Sequence, residues 1–235
     1  ASGGASVGQY GPLVHFGATM GSYLKQISKS NIPTDIFLGC GVAAAISAGF
    51  NAPIAGILFA HNAIIRHFSL KAVAPIAVSS LVAASFSQSL FGNNVAFQIS
   101  SLPPDLISVI PLALAVGPVF GLISIVLMNA IRYMGMLGTK SKLGYVKLTL
   151  IGATLCGVIG VFVPEVLGLG TETVRGLLSN EIATDYLIIL LIFKILATAL
   201  CIGLGMFGGV FSPAIFIGAV SGALIGAILT SLTGN

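Results

Sequence analysis

Two glycine-rich stretches of this chain each carry a proline just ahead of an apolar run, a pattern that could bind a small anion through backbone amides. The first, GQYGPLVHFGATMG, runs over residues 8–21, and the second, GVFSPAIFIGAVSG, over residues 209–222. Glycine lets the backbone turn and approach a ligand closely, and proline suits the first turn of a helix. The unpaired N–H groups and the dipole at a helix start attract negative charge. Each stretch therefore predicts a helix start that can hold an anion.

The two stretches match each other at a constant offset of 201 residues. The identical pairs are Gly8 and Gly209, Pro12 and Pro213, Gly17 and Gly218, Ala18 and Ala219, and Gly21 and Gly222. A duplicated element is typical of transporters built from internal repeats. The candidate anion donors are the amides of Gly8, Gln9, Tyr10, Gly11, Gly209, Val210, Phe211 and Ser212. A purely structural interpretation stays open, because small residues at helical spacing also predict close helix packing at Gly17, Gly21, Gly218, Gly222 and Gly226.

The composition predicts an all-α integral membrane protein, which we expect in a cell membrane, inner or plasma. Hydrophobic residues make up 56% of the chain and charged residues 7%, with a mean hydropathy of +1.08, whereas soluble domains carry about 25% charged residues. The net charge of +4 is spread out, so we expect no nucleic-acid partner. Because the chain shows no catalytic set, phosphate loop or metal-ligand spacing, we expect no enzyme, cofactor or metal.

Nine helical segments are predicted from the apolar runs and their breaks. They cover residues 12–29, 35–48, 54–67, 70–91, 104–133, 145–163, 172–179, 184–204 and 213–232. Pro33 and Pro53 separate the first three, and short interrupted segments of this kind line cavities in transporters. The loop over residues 132–147 holds four basic residues and no acid, which favours the cytoplasmic side.

Three motifs resemble those of the CLC family of chloride channels and chloride/proton antiporters. Residues 209–213 are similar to the family's GxFxP motif, residues 8–12 to its G(K/R)EGP motif, and FNAPIAGILF at residues 50–59 to a third signature. The resemblance implies two inverted halves of tilted and re-entrant helices, whose N-termini meet at an anion path. It also implies a homodimer in the lipid bilayer, with residues 1–235 forming a single transmembrane domain that is incomplete at both ends of the family fold.

Three departures from the family pattern bear on mechanism. The gating glutamate of the family falls at Tyr10, and the internal proton-transfer glutamate falls at Asn94. The acidic pair that follows the third motif is replaced by Asn62 and Ala63. The sequence therefore predicts passive movement of chloride or similar small anions, without proton coupling. Two alternatives stay open: a non-conducting member that acts as an assembly partner, and a proton-coupled antiporter that uses other acids.

Other polar side chains lie in apolar surroundings. Lys194 is in the middle of YLIILLIFKILATALCIG, where a charge must pair, reach water or serve a function. We interpret it as structural or as a source of positive potential along the path. His15 could face the path or bond to a neighbouring carbonyl, and Asn62 suits an interhelical hydrogen bond.

Overall fold

The computed structural model describes residues 3–66, 70–92, 106–179 and 182–233, and these ranges contain nine α-helices. The helices are α1 (Tyr10–Ser28), α2 (Thr34–Phe50), α3 (Pro53–Phe59), α4 (Leu70–Phe91), α5 (Leu106–Lys140), α6 (Tyr145–Phe162), α7 (Thr171–Leu178), α8 (Thr184–Gly203) and α9 (Phe211–Thr233). A π-helical turn, Ala60–Ile65, continues α3, and a 3₁₀ turn, Pro164–Val166, follows α6. The all-α prediction is confirmed, and within the described residues each predicted segment overlaps one α-helix, the third also covering the π-helical turn.

Five of the described helices are long and apolar enough to cross a bilayer, which takes about 20 residues. These spans are Leu70–Phe91, Val109–Lys140, Tyr145–Phe162, Thr184–Gly203 and Phe211–Ser231. The apolar segments Thr34–Phe50 and Pro53–Ile65 are shorter, as the prolines between them predict. The chain is therefore an integral membrane protein by both composition and helix length.

Helices α1 and α9 both begin two residues earlier than predicted, at Tyr10 and Phe211. Pro12 and Pro213 thus occupy the third helical position rather than the first. Proline is tolerated there because the first N–H groups of a helix have no acceptor within that helix. The two copies of the repeat share this departure, so they begin their helices in the same way.

Helix α5 continues to Lys140, although the prediction ended it at residue 133. The extra turns pack against the end of α8, where a methyl group added to Gly203 would lie 2.9 Å from the Ile131 carbonyl oxygen and 3.0 Å from the Gly135 nitrogen. Gly135, in the part of α5 beyond the predicted end, therefore lies directly against Gly203. Tertiary packing therefore extends α5 past glycines that would weaken an isolated helix.

The described residues of Tyr10–Ala96 form one compact unit, the α1–α4 unit. Its helix α2 packs against α1, α3 and α4. A methyl group at Gly41 of α2 would lie 2.8 Å from the Gly17 carbonyl carbon and 3.2 Å from the Gly21 nitrogen. The predicted close packing at Gly17 and Gly21 is therefore confirmed. Inside the unit, the buried hydroxyls of Ser47 and Ser80 hydrogen-bond to each other at 2.5 Å.

The described residues of Ala1–Gln9 and Phe97–Asn235 form the second unit, the α5–α9 unit. Helix α8 is central, since it packs against α5, α6 and α9. Its core includes Leu190, Ala197 and Cys201 of α8 and Phe216 and Val220 of α9, all fully buried. The close packing predicted at Gly218 and Gly226 is wrong within the described residues, because an added methyl group there would meet nothing within 4 Å.

Candidate functional site

The two glycines that open the repeated motifs pair with each other in the α5–α9 unit. Gly8 and Gly209 form an isolated antiparallel bridge. The Gly8 N–H donates to the Gly209 carbonyl at 2.6 Å, and the Gly209 N–H donates to the Gly8 carbonyl at 2.8 Å. Antiparallel pairing of equivalent residues is the arrangement that a two-fold axis between inverted repeats produces. The sequence repeat is therefore also a structural pair.

Gly8 lies so close to the start of α9 that no side chain fits at this position. A methyl group on its Cα would be 2.9 Å from the Gly209 carbonyl oxygen, 3.1 Å from the Ser212 nitrogen and 3.2 Å from the Ser212 Oγ. Backbone cannot give way at such distances as a flexible side chain can. Glycine is thus required at residue 8 for approach to Ser212 rather than for an unusual backbone angle.

The start of α9 combines backbone donors with a buried hydroxyl. The Val210 carbonyl accepts the first helical hydrogen bond, from the Ala214 N–H at 2.9 Å, and Pro213 brings no N–H of its own. Ser212 is 5% exposed, and its Oγ has no hydrogen-bond partner among the described residues. A buried polar group without a partner is uncommon in proteins and calls for a ligand or another explanation.

The bridge changes which amides are offered to an anion. The sequence assigns donor roles to Gly8 and Gly209, but both N–H groups donate across the bridge. In the α5–α9 unit, the candidate donors that lie outside the bridge are Gln9, Val210, Phe211 and Ser212. The role left to the bridge is to hold the backbone on either side of it, next to the candidate donors, in place.

Two buried polar side chains of the α5–α9 unit, Ser6 and Thr198, form a pair that was not predicted. The hydroxyls of Ser6 and Thr198 hydrogen-bond at 3.2 Å, and both residues are fully buried. Thr198 follows Lys194 by one turn of α8, and that spacing in an otherwise apolar helix was the available signal. Ser6 carried no such signal, because it lies in a segment without helical periodicity.

Lys194 is fully buried and is satisfied by backbone carbonyls. Its Nζ donates to the Val166 carbonyl at 2.8 Å and to the Gly168 carbonyl at 3.1 Å. It also lies 4.6 Å from the centre of the Phe216 ring of α9, within the range of a cation–π interaction. These contacts support the structural interpretation of Lys194 and leave its positive charge inside the protein.

Tyr10, which the family resemblance aligns with the gating glutamate, is the first residue of α1 and belongs to the α1–α4 unit. Its ring stacks on Phe50 with a centroid distance of 3.8 Å and an interplanar angle of 20°. Gly49 lies beside the same ring, since its added methyl group would be 3.4 Å from Tyr10 Cε1. Gly11 follows as the second residue of α1, and Asn94 lies outside the described residues.

His15, His61 and Asn62 differ in their burial in the α1–α4 unit. His15 is exposed on α1, as is Asn62 in the π-helical turn. His61 is buried, with its Nδ1 3.1 Å from the Ile57 carbonyl oxygen.

The chain is similar in sequence to known chloride channel and exchange proteins. The family model described as "Voltage gated chloride channel" matches residues 1–235. A putative chloride channel protein, ClcB-like, of Ralstonia nicotianae is 29% identical over 97% of this chain and 54% of its own length. An H(+)/Cl(−) exchange transporter, ClcA, of Vibrio vulnificus is 24% identical over 95% of this chain and 50% of its own length.

Two solved structures share the fold. A CLC-type fluoride/proton antiporter superposes with a TM-score of 0.81 at 25% identity, over 98% of this chain and 57% of its own. A slow cyanobacterial Cl−/H+ antiporter superposes with a TM-score of 0.82 at 18% identity, over 98% of this chain and 55% of its own. The chain spans about half the length of these bacterial relatives and solved structures. With a family model that covers all of its residues, the chain belongs to the voltage-gated chloride channel family.

Proposed function

We propose that this chain forms part of a path for passive movement of chloride or a similar small anion across a membrane. The observation that carries the proposal is the buried, unpartnered hydroxyl of Ser212 at the start of a 23-residue apolar helix. The amides of Val210, Phe211 and Ser212, together with this hydroxyl, provide donors and no negative charge. Gln9 and the α1 amides of Tyr10 and Gly11 are proposed as the donors of the first copy on the sequence repeat alone.

The buried charge of Lys194 supports the choice of an anion. An ammonium group held away from water keeps its electrostatic effect over a longer distance than an exposed one. Phe216, which contacts it, lies one helical turn after Ser212 on the same face of α9. A negative ion near the start of α9 is therefore stabilised by the helix dipole and by Lys194 together.

Proton-coupled exchange is a second candidate, and the named activities of the relatives favour it. The ClcA relative is named an H(+)/Cl(−) exchange transporter, and both solved structures are described as antiporters. Tyr10 argues against it, because the chain has a phenol and not a carboxylate at the position that the family resemblance aligns with the gating glutamate. Assembly as a homodimer in the lipid bilayer of the cell membrane is proposed on family membership.

Flux measurements on the full-length protein in liposomes test these candidates. We expect chloride efflux without opposing proton movement, and Ser212→Ala should lower the affinity for chloride while it preserves folding. Ser231→Ala, an exposed serine near the end of the same helix, is the matched control. Stoichiometric proton movement against chloride would establish exchange, and absence of flux in a folded protein would favour the non-conducting assembly partner.

A further inference from the structure

The segment that contains the end of α5, the turn after it and the start of α6 is the most basic part of the chain and belongs to neither copy of the anion motif. Residues 132–147, here named the basic hairpin, contain four cations and no acid. The cations are Arg132, Lys140, Lys142 and Lys147, and all four are exposed. Like charges that are brought together without acids repel one another. The hairpin therefore lacks the counter-charge that a mixed surface would provide.

The hairpin joins two candidate membrane spans, Val109–Lys140 and Tyr145–Phe162. A turn between two such helices lies at a membrane surface, where phospholipid headgroups are the nearest groups. Exposed apolar side chains alternate with the lysines there: Leu143 is 40% exposed and Val146 is 69% exposed. Apolar side chains can enter the acyl region while lysines extend to the phosphates.

The hairpin is held in place by contacts to the end of α8. The Tyr145 hydroxyl donates to the Gly205 carbonyl at 2.6 Å. A methyl group at Gly205, which has a φ of +94°, would lie 2.9 Å from the Tyr145 ring. On the α5 side, a methyl group at Gly138 would be 3.5 Å from the Leu204 side chain. The backbone that carries the lysines is thus held by packing against the end of α8, so less conformational entropy is lost when a ligand binds.

We propose that the basic hairpin binds anionic phospholipid headgroups, in preference to zwitterionic ones, through Lys140, Lys142 and Lys147. Charge complementarity and the two adjoining spans carry the choice of a lipid over a soluble partner. Each lysine near an anionic bilayer surface contributes enough attraction to change affinity by about fivefold. Removal of two lysines should therefore weaken the preference for anionic lipid by about 25-fold.

A tryptophan at residue 143 provides a local reporter, because this chain contains no tryptophan. The full-length Leu143→Trp variant is reconstituted in vesicles that contain brominated phosphatidylglycerol or brominated phosphatidylcholine in unlabelled phosphatidylcholine. The fluorescence of the unsubstituted protein is subtracted. We expect brominated phosphatidylglycerol to quench the tryptophan more strongly than brominated phosphatidylcholine. This difference in quenching should disappear in the Lys140→Gln/Lys142→Gln variant. It should also disappear at about 0.5 M salt, where charges are screened beyond a few ångström.

Lys29→Gln/Lys71→Gln is the matched control, since it removes the same charge from two exposed lysines of the α1–α4 unit. It should leave the preference unchanged. Equal quenching by the two lipids would overturn the proposal, as would a preference that persists in Lys140→Gln/Lys142→Gln. Equal loss in both double variants would also overturn it, because net charge rather than the hairpin would then set lipid preference. The readout does not involve anion flux, so it is independent of the proposed transport function.

Discussion

The ammonium group of Lys194 lies 4.6 Å from the centre of the Phe216 ring and links α8 to α9 inside the α5–α9 unit. The same nitrogen would be 3.3 Å from a methyl group added to Gly170, whose φ is +71°. Lys194 therefore contacts three places at once: the α9 helix, the carbonyls that follow α6, and the turn before α7. One buried cation orders the surroundings of the candidate anion site without belonging to the motif itself.

Replacement of Lys194 by methionine should lower thermal stability, because the Val166 and Gly168 carbonyls lose their donor. A buried polar group left unpaired costs roughly 1–3 kcal/mol. The measurement is the melting temperature of the full-length protein by size-exclusion chromatography after heating. Lys140→Met, at an exposed position, is the control and should have little effect. If both variants melt like the parent protein, Lys194 has no structural role, and its effect on anion conductance becomes the relevant test.

Gly8→Ala should disrupt the bridge between the two motifs. The methyl group would approach the Gly209 carbonyl oxygen to 2.9 Å, and overpacking of this kind costs about 1–3 kcal/mol. We expect lower stability and weaker chloride binding by calorimetry. Gly218→Ala has open space around it and should be neutral or stabilising by about 0.5–1 kcal/mol. If the Gly8→Ala protein is destabilised but binds chloride with unchanged affinity, the bridge has a structural role only and does not support the proposed site.

Gly41→Ala tests helix packing in the α1–α4 unit, away from any proposed anion donor. Its methyl group would lie 2.8 Å from the Gly17 carbonyl carbon, so α1 and α2 must separate. We expect a loss of about 1–3 kcal/mol, seen as a lower melting temperature in detergent. Gly121→Ala on α5 meets nothing within 4 Å and is the matched control. Equal stability of the two variants would show that α1 and α2 do not pack this closely.

Tyr10 determines the expected dependence of transport on pH. A carboxyl with a perturbed environment can titrate between about pH 5 and 8, and the unmodified chain has no carboxyl at this position. We expect chloride flux in liposomes to vary little over this range in the unmodified protein and to become pH-dependent in Tyr10→Glu. Large proton movement opposing chloride in the unmodified protein would contradict this prediction.

Variants of Tyr10 and Phe50, whose rings stack, test whether the Tyr10 ring blocks the anion path or lies beside it. If the ring blocks the path, flux should appear only in Tyr10→Ala. If Phe50 holds the ring aside, Phe50→Ala should reduce flux by releasing it, while Tyr10→Ala should conduct as well as the parent protein. The single and double variants together form a cycle that measures the coupling between the two rings.

The sequence by itself determined the class of protein, the helices and the repeated motif, because these depend on local properties. Apolar runs, prolines and glycines report helix length and helix starts directly, so Pro12 and Pro213 marked α1 and α9 to within two residues. The constant offset between Gly8 and Gly209 was likewise visible without coordinates. Only the tertiary structure decided that these two glycines bond to each other, because 200 intervening residues separate the pair in the chain.

The same distinction explains the errors. The end of α5 was misplaced because contact with Gly203, not local propensity, keeps the helix regular past Gly135. The amides of Gly8 and Gly209 had the right chemistry for an anion, but the fold uses them in the bridge. Conversely, the tertiary structure made the Ser212 hydroxyl a candidate anion donor, because it is buried without a partner among the described residues. Local sequence specifies which groups can donate a hydrogen bond, whereas the packing of distant segments decides which donors remain available to a ligand.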